Sequence, residues 1–333
     1  MLAQSLQRRW YQPIDVVTFL LLPFSLLFCT LSVIRRLLYK LQVLKSIQLP
    51  VPVVVVGNIN VGGTGKTPLV IAIVQHLKAQ GMNPGVVSRG YSGKSQHWPQ
   101  AVTPDSDPLQ VGDEAVVIAN RCRCPVSVGP DRVAAADALL ASHSCDIIVS
   151  DDGLQHYALA RDIEIVVIDG EKRFGNRHCL PAGPLRELPG RLKSVDFVVA
   201  NGKALKNEFA MELKSYAFHH VKDNNQLRPL DAFDGQKVYA VAGIGNNQRF
   251  FDGLKQLGID TINVPFSDHY RYKRRDITFK EDYPVLMTEK DAVKCKRFVD
   301  IDAWYLRVDG LLSKQFFEQL NELIRKVNGQ KAS

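Results

Sequence analysis

The chain has 333 residues, of which 46% are hydrophobic and 23% charged, and these ordinary fractions exclude intrinsic disorder for most of its length. Its net charge of +8 predicts an anionic partner, which is nucleic acid, a phosphorylated substrate or an anionic membrane surface. The six cysteines fit neither a disulfide-stapled mini-domain nor zinc-finger spacing, so we expect reduced thiols in the cytoplasm.

The first element is an apolar stretch at residues 14–34 that carries no charge after Asp15. A helix of this length rises ~31 Å, about the thickness of the hydrocarbon core of a bilayer. The basic residues that follow it argue against a signal peptide, and its place before the first α/β unit argues against a buried core helix. Thr18, Ser25 and Ser32 are seven residues apart and share one face. We predict attachment to an anionic membrane surface, and both a spanning and an interfacial helix fit the pattern.

Beyond residue 50, apolar runs alternate with helical patterns. The predicted strands are 51–57, 84–89, 125–129, 146–153, 163–170, 195–202, 237–243, 259–264, 284–291 and 303–308. The predicted helices are 68–80, 112–122, 130–142, 247–257 and 313–327. This alternation is typical of an α/β fold with a mostly parallel sheet and helices on both faces.

The polar stretch at 222–236 interrupts the alternation and reads as a linker. We therefore expect a membrane-associated helical segment over 1–48, then a nucleotide- and substrate-binding α/β domain over 49–228. A smaller α/β domain over 229–333 completes the predicted organisation.

The segment GNINVGGTGKTP (57–68) joins a predicted buried strand to a predicted helix. Asn60 replaces the first glycine of the usual phosphate-loop pattern, but the G-G-x-G-K-T core is complete. Glycines let backbone N–H groups face an anion at a helix N-terminus, Lys66 reaches the terminal phosphates, and the Thr67 hydroxyl suits Mg²⁺. A plain glycine-rich turn does not explain Lys66 and Thr67 at this spacing. The predicted nucleotide-binding residues are Asn60, Gly62, Gly63, Thr64, Gly65, Lys66 and Thr67.

The identity of the nucleotide is indicated by a motif that the sequence lacks. GTPases of this broad class usually carry an N-K-x-D tetrapeptide after a late strand, and this sequence has none. The absence favours ATP.

Two pairs of adjacent acids are candidates for chemistry. Asp113 and Glu114 open the predicted helix at 112–122, where acids also favour the helix dipole without any catalytic role. Asp151 and Asp152 end a predicted strand at the sheet edge where ligands bind in parallel sheets. This second pair reads as a metal-holding site, and Gln155 follows closely.

Three basic segments complete the candidate site. Arg89, in SRGY, leaves a strand at the same edge and suits a phosphate, while Arg186 lies in the Pro- and Gly-shaped loop HCLPAGPLRE. His269 lies in FSDHYRYKRRD beside Asp268 and four cations. A solvated basic loop is the alternative explanation of that last segment.

Taken together, these stretches resemble the tetraacyldisaccharide 4′-kinase family of lipid A biosynthesis. The matching motifs are GNINVGGTGKTP, SRGY, GDE (112–114), PDR (130–132), DDGLQH (151–156), LPAGPLRE (180–187), DHY (268–270) and TEKDAVK (288–294). They span residues 57–294, and the pair DDGLQH and LPAGPLRE is far more specific than the phosphate loop. One departure is Asn247, where members of the family often carry proline after GIGN.

The resemblance implies a P-loop-type sheet core with a second, smaller α/β domain and an N-terminal membrane-associated helix. It also implies a reaction in which ATP, with Mg²⁺, phosphorylates the 4′-hydroxyl of a tetraacyl glucosamine disaccharide 1-phosphate. The expected place is the cytoplasmic face of the inner membrane. The expected partners are therefore the phosphorylated glycolipid and the membrane surface, without nucleic acid and without an obligate protein partner.

The resemblance further implies roles for individual residues. Asp113 would be the general base on the sugar hydroxyl, assisted by His269, and Lys66 would contact the terminal phosphates. The residues expected to hold the metal are Thr67, Glu114 and Gln155. Those expected to organise the metal and the substrate edge are Asp151 and Asp152, and those expected to contact substrate are Arg89 and Arg186.

Two other functions share parts of this pattern. A membrane-associated nucleotide-dependent switch ATPase has the same loop core, but such switches carry an additional lysine where this chain has Val61. A membrane-anchored nucleic-acid-binding protein fits the charge, but the sequence has no recognition motif or aromatic stacking platform.

Overall fold

The computed structural model describes residues 2–298 and 302–331. Two compact units divide the chain, and each is assembled from segments that are distant in sequence. Unit 1 consists of Met1–Arg89, Asp131–Glu212 and Gly310–Ser333. Unit 2 consists of Gly90–Pro130 and Leu213–Asp309.

The regular elements of the described chain follow in order. The helices are α1 (Leu2–Arg9), α2 (Val16–Lys40), α3 (Lys66–Ala79), α4 (Pro108–Val111), α5 (Asp113–Cys122), α6 (Arg132–Ser142), α7 (Asn247–Gln256), α8 (Glu289–Cys295) and α9 (Lys314–Lys331). The strands are β1 (Val53–Gly57), β2 (Pro84–Ser88), β3 (Gln100–Val102), β4 (Val126–Val128), β5 (Ile147–Asp151), β6 (Ile163–Asp169), β7 (Phe197–Asn201), β8 (Phe209–His220), β9 (Leu227–Pro229), β10 (Lys237–Ala242), β11 (Asp260–Pro265), β12 (Val285–Thr288) and β13 (Ala303–Leu312).

Unit 1 is built on parallel strands in the order β2-β5-β1-β6-β7, followed by the first residues of β8. β1 is central, and its residue Val56 pairs with Asp151 on one side and Ile165 on the other. Each residue of β1 is buried, because helices cover both faces of a parallel sheet. The carboxyl ends of β1 and β5 therefore lie side by side, which places the phosphate loop next to the acid pair.

Unit 2 has a second set of parallel strands, in the order β11-β10-β12-β13. β3 pairs with β4 in an antiparallel ribbon, and the end of β8 pairs with β9 in another. One face of the parallel strands carries an aromatic core that contains Phe218, Phe233, Phe251 and Trp304. The predicted α/β class with mostly parallel strands is confirmed.

Most predicted elements occur within a few residues of their predicted ends, but some strands, among them β8, were not predicted, and one predicted strand ends early. β8 was not predicted, because its sequence shows no continuous apolar run and most of its residues are exposed or half-buried. The predicted strand 284–291 ends at Thr288, whose side chain accepts a hydrogen bond from the Asp291 N–H and so begins α8. The predicted linker 222–236 contains the short strand β9.

The contacts also group the chain differently from the predicted domains. Residues 90–130 fall in the predicted nucleotide-binding domain, yet they pack with residues 213–309 in unit 2, where α5 lies against α8. Contacts between distant segments leave no mark on composition, which is what the predicted boundaries follow. Those boundaries, at 48/49 and 228/229, stay a prediction about functional organisation.

The N-terminal helix α2 packs on unit 1 through its polar face. Asp15 caps the helix by accepting the Thr18 N–H, and the Ser25 hydroxyl donates a 2.7 Å hydrogen bond to the Cys179 carbonyl. Thr18 and Ser25 are buried, while large apolar side chains around them, such as Leu26 at 70% exposure, face outward. The helix is long and apolar enough to cross a membrane by length and composition, with a mean hydropathy of 2.3.

The end of β1 gives a test of packing. A Cβ atom at Gly57 would lie 2.5 Å from the Cβ of Leu154, a core residue that cannot yield easily. We expect Gly57→Ala to destabilise the protein by about 1–3 kcal/mol because it overpacks the core. Thermal unfolding of purified protein measures the effect as a lower Tm.

The matched control is Gly253→Ala, in α7, where a Cβ would meet nothing within 4 Å. That substitution should leave Tm unchanged or raise it, since alanine is the better helix former. Equal effects of the two substitutions would contradict the packing argument.

Candidate active site

The phosphate loop of unit 1, residues 58–65, is held by two asparagine amides. The Asn58 Nδ2 donates to the Gly62 carbonyl at 3.3 Å and lies 3.2 Å from the Thr64 hydroxyl. The Asn201 Nδ2, at the end of β7, donates to the Thr64 carbonyl at 3.1 Å. Side-chain hydrogen bonds thus fix the loop before any ligand binds.

Two glycines of the phosphate loop are required by its backbone conformation. Gly62 and Gly65 have φ values of 115° and 97°, which side chains rarely adopt. A Cβ at Gly65 would also lie 2.8 Å from the Asn201 Nδ2. Gly63 has open space around it, and α3 begins directly after Gly65, so the free N–H groups of its first turn follow the loop.

Asn60, the residue that breaks the usual loop pattern, supports the loop through its side chain. Its Nδ2 donates to the Arg173 carbonyl at 2.6 Å, and the side chain is buried. The next N–H, that of Val61, donates to the Pro184 carbonyl at 2.8 Å. Contact between Asn60 and nucleotide stays a prediction.

The acid pair that ends β5 divides into an inner and an outer residue. Asp151 is 1% exposed and accepts a 3.4 Å hydrogen bond from the Ser88 hydroxyl. Asp152 has a left-handed φ of 49°, and its side chain is 27% exposed. Its carboxylate lies 3.5 Å from the Lys66 Nζ and accepts hydrogen bonds from Arg186 at 3.0 and 3.1 Å. Of the two acids, Asp152 faces the phosphate-loop lysine.

The charges around Asp152 keep it ionised. Burial raises the pKa of this carboxyl, but the positive charges of Lys66, Arg186 and Arg132 outweigh burial, so its pKa is below the ordinary value. Burial and the neighbouring charge of Arg89 lower the pKa of Arg132 to about 10, and the guanidinium stays charged at neutral pH. Unit 1 thus surrounds one carboxylate with cations suited to phosphate.

Gln155 holds the phosphate loop through side-chain hydrogen bonds. Its Nε2 donates to the Asn58 carbonyl at 3.0 Å and to the Glu187 Oε1 at 2.7 Å, while its Oε1 lies 3.4 Å from the Arg186 NH1. Glu187 is fixed in turn by the hydroxyl of Tyr157 at 2.6 Å. In this arrangement the amide oxygen of Gln155 faces a cation, and its metal contact stays a prediction.

Unit 2 holds a carboxylate–imidazole pair at the start of α5. The Asp113 Oδ1 accepts the Glu114 N–H at 2.8 Å, and its Oδ2 lies 3.0 Å from the His269 Nδ1. The preceding Gly112 has a φ of 92°, and a Cβ there would lie 2.6 Å from the Tyr91 carbonyl oxygen. The sharp turn at this glycine thus lets the helix begin at the acid itself.

Each member of this pair shifts the pKa of the other. Burial raises the pKa of Asp113, but the hydrogen bond to His269 and the charges of Lys290 and Lys294 outweigh it, so the pKa lies below its usual value. The hydrogen bond to Asp113 raises the pKa of His269, against the effect of its own partial burial. The arrangement resembles the carboxylate and histidine of proton-transfer sites, in which the acid orients the ring.

A cavity of about 260 Å³ opens beside this pair. Its lining residues are Ser92, Lys94, Pro108, Leu109, Asp113, His269, Arg271 and Lys294. Three cations and an apolar wall next to a proton acceptor suit a substrate that has both polar and apolar parts.

The predicted site residues thus fall into two groups. Unit 1 brings together Asn60, Gly62, Gly63, Thr64, Gly65, Lys66, Thr67, Arg89, Asp151, Asp152, Gln155 and Arg186. Unit 2 contains Asp113, Glu114 and His269. Thr67 is buried in the first turn of α3, Arg89 is exposed directly after β2, and the Glu114 carboxylate is paired with the Lys290 ammonium.

Five residues that support the site were not among the predicted ones. They are Asn58, Glu187, Asn201, Lys290 and Lys294. Asn201 ends β7 at the same sheet edge as the acid pair, so the rule that led to Asp151 applied to it as well. The two lysines lie in TEKDAVK, and their spacing of four residues fits one helix face, but the predicted strand 284–291 obscured that signal.

Comparison with known proteins agrees with this geometry. The family model for Tetraacyldisaccharide-1-P 4'-kinase matches residues 17–325. A relative from Nitrosococcus oceani, named tetraacyldisaccharide 4'-kinase, is 51% identical over 97% of this chain and 95% of its own. Relatives of the same name from Shewanella woodyi and Coxiella burnetii are each 48% identical over 96% of this chain and 95% of theirs.

A solved structure is similar as well. LpxK from Aquifex aeolicus, crystallised in complex with ATP, superposes with a TM-score of 0.81 at 30% identity. The match covers 94% of this chain and 99% of that one. These similarities favour a kinase over the two alternatives that the sequence left open, a switch ATPase and a nucleic-acid-binding protein. The chain belongs to the tetraacyldisaccharide-1-P 4'-kinase family.

Proposed function

We propose that this protein is an ATP-dependent kinase that transfers the γ-phosphate of ATP to the 4′-hydroxyl of a tetraacyl glucosamine disaccharide 1-phosphate. The reaction belongs to lipid A biosynthesis. The observation that carries the proposal is the preformed phosphate loop, with Lys66 beside Asp152, in a chain that matches this family over residues 17–325.

The nucleotide is ATP, the ligand named for the Aquifex relative. Lys66 contacts its terminal phosphates, and the free N–H groups at the start of α3 add positive potential. Arg89 and Arg186 bind phosphate or substrate at the same edge. Asp151 is buried and accepts a hydrogen bond from the Ser88 hydroxyl, and it helps to organise this edge of the sheet.

Magnesium fits the oxygen donors of unit 1. Among the described residues no group of three or more acidic, histidine or cysteine side chains is close enough to hold a metal alone. Mg²⁺ typically takes one or two carboxylates together with phosphate oxygens, so the Thr67 hydroxyl and Asp152 suit it. When bound, the ion neutralises negative charge on the phosphates. The other two predicted ligands face cations: the Glu114 carboxylate is paired with Lys290, and the Gln155 amide oxygen lies 3.4 Å from Arg186, so each must release that cation before it can bind a metal.

Asp113 and His269 accept the proton of the sugar hydroxyl as a pair. Asp113 alone is a weak base, because its pKa is lowered below a value that is already acidic. The 3.0 Å contact lets His269 hold the proton while Asp113 orients and stabilises the ring. A loose phosphoryl-transfer transition state tolerates late proton removal, which suits this arrangement.

The helix α2 attaches the enzyme to the cytoplasmic face of the inner membrane, where an acylated substrate resides. Its polar face is bound to unit 1 through Ser25, so its exposed apolar side chains are left for lipid. Arg35, Arg36 and Lys40 at its end favour an anionic leaflet. A helix held along one face in this way suits an interfacial position.

The first test is the reaction itself. Purified protein, labelled ATP, Mg²⁺ and the tetraacyl disaccharide 1-phosphate should yield a lipid with label at the 4′ position. Lys66→Met should lower kcat by about 10²-fold or more, because a charge that meets the transferred phosphate is lost. Lys203→Met, which removes an exposed lysine of the same unit, is the control and should retain wild-type activity. Absence of labelled lipid with the wild-type protein would refute the proposed reaction.

The second test is the dependence of kcat/KM on pH. His269 must be neutral to accept a proton, and Asp113 raises its pKa above the ordinary ~6.5. Activity should therefore rise as pH increases through that raised value. Asp113→Asn should lower kcat by about 10²-fold and move the rise to lower pH, because the ring loses its anionic partner.

The alternative mechanism, in which Asp113 acts as the base alone, predicts a different profile. Its lowered pKa would leave activity flat across the neutral range. A flat wild-type profile between pH 6 and about 8 would thus contradict proton transfer to His269.

The third test addresses the membrane. Phe24→Glu and Leu27→Glu place a charge on the exposed apolar face of α2, and each should weaken binding to anionic vesicles about tenfold or more. Co-sedimentation with vesicles measures the bound fraction. Tyr216→Glu, at an exposed aromatic residue of unit 2, is the control. Unchanged sedimentation of the α2 variants would mean that another surface binds the membrane.

A further inference from the structure

The helix α8 presents two lysines to the two acids that open α5. Lys290 and Lys294 are four residues apart and share one face of α8. Lys290 pairs with Glu114, and the Lys294 Nζ lies 3.8 Å from the Asp113 Oδ2. The motif TEKDAVK thus has a place at the proton-accepting pair, which the proposed mechanism does not yet use.

Lys294 is held firmly in that place. Its Nζ lies 2.8 Å from the Asp291 Oδ1, and Asp291 is 0% exposed. The other oxygen of Asp291 accepts hydrogen bonds from the Gly243 N–H at 2.9 Å and the Thr288 hydroxyl at 2.6 Å. The lysine is therefore anchored to the carboxyl ends of β10 and β12, which are rigid parts of unit 2.

A purely structural ion pair does not account for the second contact of this lysine. Lys294 is 8% exposed, and a buried ammonium needs an anionic partner. Asp291 already supplies one. The same ammonium also lies against Asp113 and lines the cavity beside His269.

The contacts of Asp113 show what Lys294 adds. The Glu114 N–H binds Oδ1, while Oδ2 lies between the His269 Nδ1 at 3.0 Å and the Lys294 Nζ at 3.8 Å. Among the described contacts of Oδ2, only the one with the His269 ring would remain without the lysine. A misplacement of about 1 Å in such a group costs about 10²-fold in rate.

We propose that Lys294 is a positioning residue, which fixes the Asp113 carboxylate so that Oδ2 stays within hydrogen-bond distance of the His269 Nδ1. The proposal rests on the proposed function, because it concerns the proton-accepting pair of that reaction. Asp291 is the anchor of the lysine, and the lysine acts through Asp113 without contacting the transferred phosphate.

The experiment compares three variants by steady-state kinetics, each checked for folding by its Tm. Lys294→Met should lower kcat about 10- to 100-fold and leave KM for ATP within about twofold, because nucleotide binding is carried by other residues. Lys294→Arg retains the charge and should recover part of that loss. The control is Lys296→Met, on an exposed lysine two residues away that pairs with Asp105, and it should behave as wild type.

The third variant separates positioning from stability. Lys294→Met alone leaves Asp291 as an unpaired buried charge, so loss of activity could reflect misfolding. Asp291→Asn combined with Lys294→Met removes both charges and should restore Tm but not kcat. A folded double variant with wild-type kcat would show that Lys294 is only structural.

A double-mutant cycle with Asp113→Ala completes the test. If Lys294 acts through Asp113, then Lys294→Arg and Lys294→Met should cause no further loss of kcat in the Asp113→Ala background. Full additivity would overturn the inference. Failure of the wild-type enzyme to phosphorylate the disaccharide would instead refute the proposed function, so the two failures are distinguishable.

Discussion

Both units of this protein keep a buried or half-buried carboxylate ionised by packing cations against it. Burial alone would favour the protonated acid, since a carboxylate loses hydration when it leaves water. In unit 1, Lys66 and Arg186 reverse that tendency at Asp152, and in unit 2, His269, Lys290 and Lys294 reverse it at Asp113. The cations that keep these carboxylates ionised also give each site a positive potential, which suits a phosphorylated ligand.

The supporting residues are as instructive as the charged ones. Asn58 and Asn201 hold the phosphate loop by side-chain amides, and Gln155 is locked against Glu187. These contacts fix the residues that are predicted to bind nucleotide and metal. Preformed loops of this kind bind with less loss of conformational freedom, which is the physical advantage of fixing them before the ligand arrives.

Much of this site could be predicted from the sequence, and the remainder depends on long-range contacts. Strand ends such as Asp152 follow from local apolar runs, and the loop follows from glycine spacing. The partnership of Asp113 with Lys294 joins residues that are 181 positions apart, and no local pattern encodes it. The strand β8 was missed for a local reason, because its sequence has no strong hydrophobic period. The polar face of α2 could be predicted because Thr18 and Ser25 lie seven residues apart, on one side of a helix.

The contact between α2 and unit 1 has a consequence for the newly made chain. Ser25 and its acceptor, the Cys179 carbonyl, are separated by 154 residues. At ordinary rates of translation the ribosome needs roughly 10–30 s to cover that distance, and during this interval the polar face of the helix has no protein to bind. Unit 1 also includes α9, so it cannot be completed until that helix too has been made. With the proposed membrane attachment, the apolar face of α2 is therefore free to meet lipid before its polar face meets the rest of unit 1.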